Sequence, residues 1–125
     1  MTTRMRETAD QITELIARPE PLRWLFAGDS ITHGALHTMG WRNYVELFTE
    51  RVRWEMRRMR DCLINTACSG WRIEHLRDDL EWSLLQHRPQ IISINLGMND
   101  CTLVTGNVRH FARVHELRVE NWLKD

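Results

Sequence analysis

The sequence predicts an α/β protein: a flavodoxin-like, three-layer α/β/α domain with a parallel sheet. Two patterns carry this prediction. Short apolar runs alternate with longer amphipathic stretches along the 125 residues, and each apolar run ends in a turn of glycine or small polar residues. An alternation of strand and helix is typical of parallel strands joined by crossovers, with helices on both faces of the sheet. Because functional residues in such sheets gather at the carboxyl ends of the strands, any site is expected at those turns.

Four stretches have the periodicity of amphipathic helices. Apolar residues recur at three- and four-residue steps over residues 5–16, 41–59, 73–84 and 108–122. This spacing places the apolar side chains on one helix face. The first stretch is stopped by two prolines just beyond it, and the third ends before Pro89. We therefore predict a helix before the first strand and one after each strand.

Three apolar runs predict strands, at residues 22–27, 62–64 and 91–96. The first contains Trp24 and Phe26 and is bounded by Pro21 and Gly28, which suits a strand buried on both faces. A flavodoxin-like sheet has five strands. We therefore expect the 125 residues to form a single, incomplete domain, truncated after the third strand. Its outer edge would be unpaired and open to self-association.

Composition excludes several classes of partner. Seventeen basic residues balance seventeen acidic ones, so no global field attracts nucleic acid or a membrane surface. No apolar secretory segment follows the amino terminus, and no stretch has the length of a membrane span. The three cysteines, at positions 62, 68 and 101, have no C-x-x-C spacing, which disfavours a disulfide framework or a zinc site. A reducing, cytoplasmic location is expected.

Each strand is followed by a turn that could carry chemistry. In residues 28–32 (Gly-Asp-Ser-Ile-Thr), either Ser30 is a nucleophile presented above the sheet or Asp29 or Ser30 caps a helix. Gly70 could let a backbone N–H approach a substrate closely, or could simply form a turn. Asn99 could donate a hydrogen bond to an oxyanion, or could form an Asx turn.

Together these segments resemble the SGNH, or GDSL-type, hydrolases. Residues 28–32 resemble the family's first block, Gly70 preceded by Asn65 resembles the glycine block, and residues 97–100 (Gly-Met-Asn-Asp) resemble the G-x-N-D block. The blocks stand in the family's order, each at the end of a predicted strand. The resemblance extends from about residue 22 to residue 100.

The resemblance implies a serine esterase that acts on a small acyl-ester substrate. Ser30 would attack the ester carbonyl, and the backbone N–H groups of Ser30 and Gly70 would hold the oxyanion together with the amide of Asn99. Asp100 would be a structural partner within its loop. The family implies no metal and no organic cofactor.

The sequence departs from the family in one block. SGNH hydrolases carry their catalytic aspartate and histidine in a downstream D-x-x-H segment, which this chain lacks; residues 107–110 (Asn-Val-Arg-His) have the wrong acid. Without its base a serine hydroxyl is a weak nucleophile. We therefore expect weak or no activity, and the alternative function is a non-catalytic, small-ligand-binding remnant of the same fold. A third hypothesis takes Asp29 as a phosphoryl acceptor.

Overall fold

The computed structural model describes residues 3–100, 102–104 and 118–120, with side chains from residue 6 to residue 100. Five α-helices are present in this part of the chain: α1 (Thr3–Ala17), α2 (Ser30–His33), α3 (Tyr44–Trp54), α4 (Ile73–Asp78) and α5 (Leu80–Ser83). The strands are β1 (Arg23–Gly28), β2 (Cys62–Asn65), β3 (Ile91–Asn95), β4 (Thr102–Val104) and β5 (Arg118–Glu120). Short 3-10 helices cover Leu85–His87 and Met98–Asp100.

The main sheet has three parallel strands in the order β2-β1-β3. Trp24 of β1 is level with Leu63 of β2 and with Ile91 of β3, so β1 is hydrogen-bonded on both sides. This is the order in which a flavodoxin-like sheet begins. The predicted fold class is confirmed by this sheet and its helices. A separate pair, β4 and β5, is also parallel and was not expected from the sequence.

Strand β1 is the buried centre of the domain, and every residue after Arg23 in it is buried. Side chains alternate across a strand, so Trp24 and Phe26 face one side and Leu25 and Ala27 the other. The first side packs against α1 and α3, where Phe48 makes edge-to-face contacts with both aromatic rings. The other side packs against residues 76–84 of the α4–α5 segment. The result is the three-layer arrangement that was predicted.

The second helical prediction was too long at both ends. Helix α3 begins only at Tyr44, because Asn43 and Glu46 form a capping box: Asn43 Oδ1 accepts from the Glu46 N–H, and Glu46 Oε2 accepts from the Asn43 N–H. The helix ends at Trp54, and Arg57 has a left-handed backbone with φ of 55°. The predicted residues 41–43 and 55–59 therefore lie in loops.

The later helical predictions also need correction. The stretch over residues 73–84 is broken at Asp79, whose carboxylate accepts a hydrogen bond from the Ser83 hydroxyl at 2.7 Å. Part of the last predicted helix is a strand instead, since Arg118–Glu120 pairs with Thr102–Val104. The remainder of that prediction, residues 108–117 and 121–122, lies outside the described residues.

Strand β3 has an unpaired outer edge among the described strands and two exposed isoleucine side chains. Among the described strands, β3 pairs only with β1. Ile92 and Ile94 are 45% and 54% exposed, although isoleucine is commonly buried. The outer edge of β3 is therefore unpaired in this part of the chain, and self-association through it stays a prediction. None of the described helices combines the length and apolarity needed to cross a bilayer.

The amino-terminal end of the sheet is held by a buried ion pair. Arg58 Nε donates to Asp61 Oδ2 at 2.6 Å, and the same carboxylate accepts from the Leu22 N–H and from the indole of Trp24. The other guanidinium nitrogens of Arg58 donate to the carbonyls of Ile16, Arg18 and Glu20. This cluster therefore joins the end of α1, the start of β1 and the start of β2.

Substitution of Arg58 should lower the free energy of unfolding far more than substitution of an exposed arginine. Arg58→Ala leaves the Asp61 carboxylate buried without its cation, a change that costs about 3–5 kcal/mol. Arg51→Ala is the control, because its ion pair with Glu55 is exposed on α3 and such pairs contribute about 0.3–0.5 kcal/mol. Urea unfolding followed by circular dichroism measures both. Equal midpoints for the two variants would contradict this account of the cluster.

Asp61 should also make stability depend on pH. Burial by itself raises the pKa of Asp61, but hydrogen bonds from Arg58, Trp24 and Leu22 favour the carboxylate and leave its pKa below the ordinary value. The stabilisation is therefore complete above the unfolded-state pKa of about 3.9 and is lost as pH falls through the lower folded-state value. Below about pH 4, the free energy of unfolding should fall more steeply for the parent than for Asp61→Asn. The exposed Asp78→Asn control should follow the parent.

Candidate active site

Backbone hydrogen bonds bring the three strand-end segments together. Asp29 N–H donates to the carbonyl of Asn95 at 3.3 Å, linking the end of β1 to the end of β3. On the other side, Cys68 N–H donates to the carbonyl of Gly28 at 3.0 Å, and Thr66 N–H donates to Phe26 at 2.9 Å. The segments that contain the first block, the glycine block and the G-x-N-D block therefore meet at the carboxyl edge of the sheet.

Gly28 makes this meeting possible. A Cβ at this position would lie 2.5 Å from the carbonyl oxygen of Asn95 and 2.7 Å from Oγ1 of Thr32. Both distances are too short for a carbon atom. The absence of a side chain therefore lets β1 approach β3 and lets α2 fold back directly over the strand end.

The chain enters α2 through Asp29. Its Oδ1 accepts from the Ile31 N–H at 3.0 Å, so Asp29 is the helix cap and Ser30 is the first helical residue. Ser30 is 7% exposed. Asp29 is 1% exposed, and its Oδ2 atom has no hydrogen-bond partner in the described part of the chain. A buried capping carboxylate is poorly placed to accept a phosphoryl group, which disfavours the third sequence hypothesis.

Side-chain amides hold α2 from two directions. Asn65 Nδ2 donates to the carbonyl of Thr32 at 2.8 Å, while its Oδ1 accepts from the Ala67 N–H. Asn43 Nδ2 donates to the carbonyl of His33 at 2.9 Å. Asn65 thus ties the end of β2 to the helix that begins with Ser30, a role that its place before Gly70 in the sequence did not indicate.

A histidine–serine contact also joins the first two strand ends. His33 Nδ1 lies 3.1 Å from the backbone nitrogen of Ser69, which donates to it, and 3.1 Å from Ser69 Oγ. The sequence places His33 three residues after Ser30, but the residues themselves give no sign of its contact with Ser69. The available signal was the strand order, because polar residues that follow adjacent parallel strands are close in space.

The third block is tied to the second. Asn99 Nδ2 donates to the carbonyl of Trp71 at 2.7 Å, and Asp100 Oδ2 accepts from the Ile73 N–H at 3.2 Å. A primary amide has two N–H donors, so Asn99 retains one beyond the bond to Trp71. Gly70, one residue before Trp71, has φ of 80° and is exposed.

Two histidine rings contact groups within a few residues of themselves in the sequence. His75 Nδ1 accepts from the Arg72 N–H at 2.9 Å, and its ring stacks on Trp71. His87 Nε2 lies 3.1 Å from the carbonyl of Trp82. His110 and His115 lie outside the described residues. Within residues 6–100, no group of three acidic, histidine or cysteine side chains is arranged to hold a metal ion.

A cavity of about 450 Å³ opens beside α2. Its walls include His33, Asn43 and Asn65, together with Trp41 and Arg42 from the loop that precedes α3. Trp41 is 80% exposed. His33 and Trp41 therefore line the same cavity. Trp71 packs against the buried cluster that contains Leu25 and Leu76.

The strand order and the segments gathered at one edge define a parallel α/β domain of flavodoxin-like type. The chain belongs to the GDSL-like lipase/acylhydrolase family, whose family model matches residues 26–121. The family predicted from the three sequence blocks is thereby confirmed.

Solved structures share this fold. A GDSL-like lipase from Parabacteroides merdae is 26% identical, with a TM-score of 0.58 over 68% of this chain and 43% of that one. A catalytic mutant of Axe2, an acetylxylan esterase from Geobacillus stearothermophilus, is 23% identical, with a TM-score of 0.56 over 63% of this chain and 40% of that one. LAE5, an α/β hydrolase enzyme from the metagenome of Lake Arreo, Spain, is 22% identical, with a TM-score of 0.54.

The chain is shorter than these relatives. It spans 40–43% of the length of the three solved chains. An uncharacterized protein of Mycoplasma pneumoniae is 29% identical over an alignment of 101 residues that covers 76% of this chain and 11% of that protein.

Gly28→Ala should destabilise the domain more than Gly70→Ala. The new methyl group at position 28 meets a backbone carbonyl and a buried threonine, and we expect a cost of about 3 kcal/mol. At position 70 the methyl group enters open space, so only the left-handed backbone is penalised, by about 1 kcal/mol. Urea unfolding curves compare the two variants. A smaller loss for Gly28→Ala than for Gly70→Ala would show that the strand ends are not closely packed.

Proposed function

We propose that this chain is an esterase domain that cleaves small acyl esters with Ser30 as its nucleophile. The observation that carries the proposal is the meeting of the three family blocks around Gly28. The bond from Asp29 to Asn95 and the bond from Cys68 to Gly28 join the elements that bear Ser30, Gly70 and Asn99. Family membership supports ester hydrolysis, and the geometry supports a site at this edge of the sheet.

In the proposed reaction, Ser30 Oγ bonds to the ester carbonyl carbon as its proton passes to a base. The carbonyl oxygen becomes an oxyanion that the N–H groups of Ser30 and Gly70 stabilise together with the Asn99 amide. Collapse of this intermediate expels the alcohol and leaves an acyl-serine, which water then hydrolyses. Preorganised donors of this kind supply much of the catalysis in acyl transfer, about 10²–10³ in rate for a single donor.

We propose that the activity of these 125 residues is weak. A nucleophile without its base is poorly activated, although about 10³–10⁴-fold catalysis over water can persist from the oxyanion donors and substrate binding. We also propose that residues 1–125 are part of one larger SGNH-type domain. The share of the solved relatives that the chain covers and the exposed isoleucines of β3 both support this proposal.

Hydrolysis of p-nitrophenyl acetate tests the function directly. The parent chain should release p-nitrophenol faster than buffer, and Ser30→Ala should be slower than the parent because it lacks the attacking oxygen. Ser93→Ala, in the middle of β3, is the matched control and should keep the parent rate.

A fluorophosphonate should add covalently to Ser30 of the parent and of the control, with the modified peptide identified by mass spectrometry. Equal background rates and no label in folded samples would overturn the esterase proposal. Thermal stabilisation by acetate without turnover would then favour the ligand-binding alternative.

A further inference from the structure

We propose that His33 is a positioning residue, which holds the Ser69–Gly70 segment in place through its Nδ1 atom. The inference rests on the proposed function, because it assigns His33 the task of orienting the oxyanion donor at Gly70 relative to Ser30. The role differs from those proposed for Ser30, Gly70 and Asn99, which act directly on the ester carbonyl.

The contact itself fixes the state of the imidazole ring. The backbone nitrogen of Ser69 lies 3.1 Å from Nδ1, and a backbone N–H can only donate. Nδ1 must therefore be the unprotonated, accepting nitrogen, and the proton of the neutral ring is on Nε2. The Ser69 hydroxyl, also 3.1 Å from Nδ1, can only share the single lone pair that accepts the Ser69 N–H.

The Ser69–Gly70 segment depends on such contacts because it has little packing of its own. Gly70 is exposed, and a Cβ built on it would find no atom within 4 Å. On either side the chain is held by Cys68 N–H to the carbonyl of Gly28 and by Asn99 to the carbonyl of Trp71. Between these two anchors, the bond from Ser69 to His33 connects the segment to α2.

His33 is well supported for this task. Its own carbonyl accepts from Asn43 Nδ2 at 2.9 Å, and the next residue, Gly34, packs so closely on Asn43 that a Cβ would lie 2.6 Å from that side chain. Ser30 and His33 are the first and last residues of α2. One rigid turn of helix thus carries the proposed nucleophile at one end and the anchor of the oxyanion donor at the other. Such preorganisation lowers the barrier only if the donor is already in place when charge develops.

Two substitutions at His33 distinguish loss of the hydrogen-bond acceptor from loss of the rest of the imidazole ring. His33→Asn places an amide oxygen near the position of Nδ1 and keeps an acceptor for the Ser69 N–H. His33→Leu fills a similar volume but accepts no hydrogen bond. With p-nitrophenyl acetate, we expect kcat to fall about 10- to 100-fold in His33→Leu with KM little changed, since a displaced donor costs up to about 10²-fold. His33→Asn should stay within about threefold of the parent by the same argument. Equal losses in both variants would overturn the inference.

A second measurement does not depend on turnover. In ¹⁵N–¹H NMR spectra, the Ser69 amide proton should move upfield and the Gly70 amide should exchange faster with solvent in His33→Leu, but not in His33→Asn. If His33→Leu does not fold, His33→Ala takes its place, because it also lacks the acceptor. Unchanged Ser69 and Gly70 amides in a folded variant would overturn the positioning role. If the parent and Ser30→Ala hydrolyse the ester equally, the proposed function fails, and these amides alone decide whether His33 positions the segment.

Discussion

Close backbone packing around Gly28 is the constraint on which the rest of the site depends. The carbonyl of Asn95 and the side chain of Thr32 occupy the space where a Cβ would stand. The end of β1 can therefore hydrogen-bond to β3 on one side and to the segment after β2 on the other, while α2 begins immediately above it. Were β1 kept farther from β3, Ser30 would start its helix farther from the two other blocks. Gly28 therefore determines both the packing of the strands and the position of Ser30 relative to the other two blocks.

The two ends of the sheet each contain a buried carboxylate, and the two are satisfied very differently. At the amino-terminal end, Asp61 accepts three hydrogen bonds and is paired with Arg58, so its burial stabilises the fold. At the carboxyl end, Asp29 accepts a cap bond through Oδ1, but its Oδ2 is buried without a partner among the described residues. Most buried polar atoms in proteins are hydrogen-bonded, so the Oδ2 atom of Asp29 is an exception. The fully satisfied carboxylate therefore lies at the amino-terminal end of the sheet, and the candidate site lies at the carboxyl end.

Much of the fold could be predicted because apolar runs bounded by proline and glycine locate buried strands well. The first and third strand predictions differ from β1 and β3 by only one residue at their ends. Helix limits were less accurate, since the Asn43 capping box overrides an apolar periodicity that continues outside the helix. The β4–β5 pair has three-residue strands, too short for an alternating pattern to be visible. Motif residues were found at the strand ends as expected, but the contact between His33 and Ser69 depends on a side-chain direction that spacing does not encode.

The proposal of a larger domain links completion of the fold to catalysis through the outer edge of β3, which is unpaired among the described strands. Ile92 and Ile94 are half exposed there, so a further strand paired with this edge would bury apolar area worth about 25 cal/mol per Å². If that strand were parallel, its carboxyl end would arrive beside Asn95, and hence next to the bond that holds Asp29 and α2. His33 cannot take the place of a base that such an element would bring, because its Nδ1 already accepts from Ser69. Under the proposed function, the site would therefore acquire the group that activates Ser30 through the same surface that exposes Ile92 and Ile94.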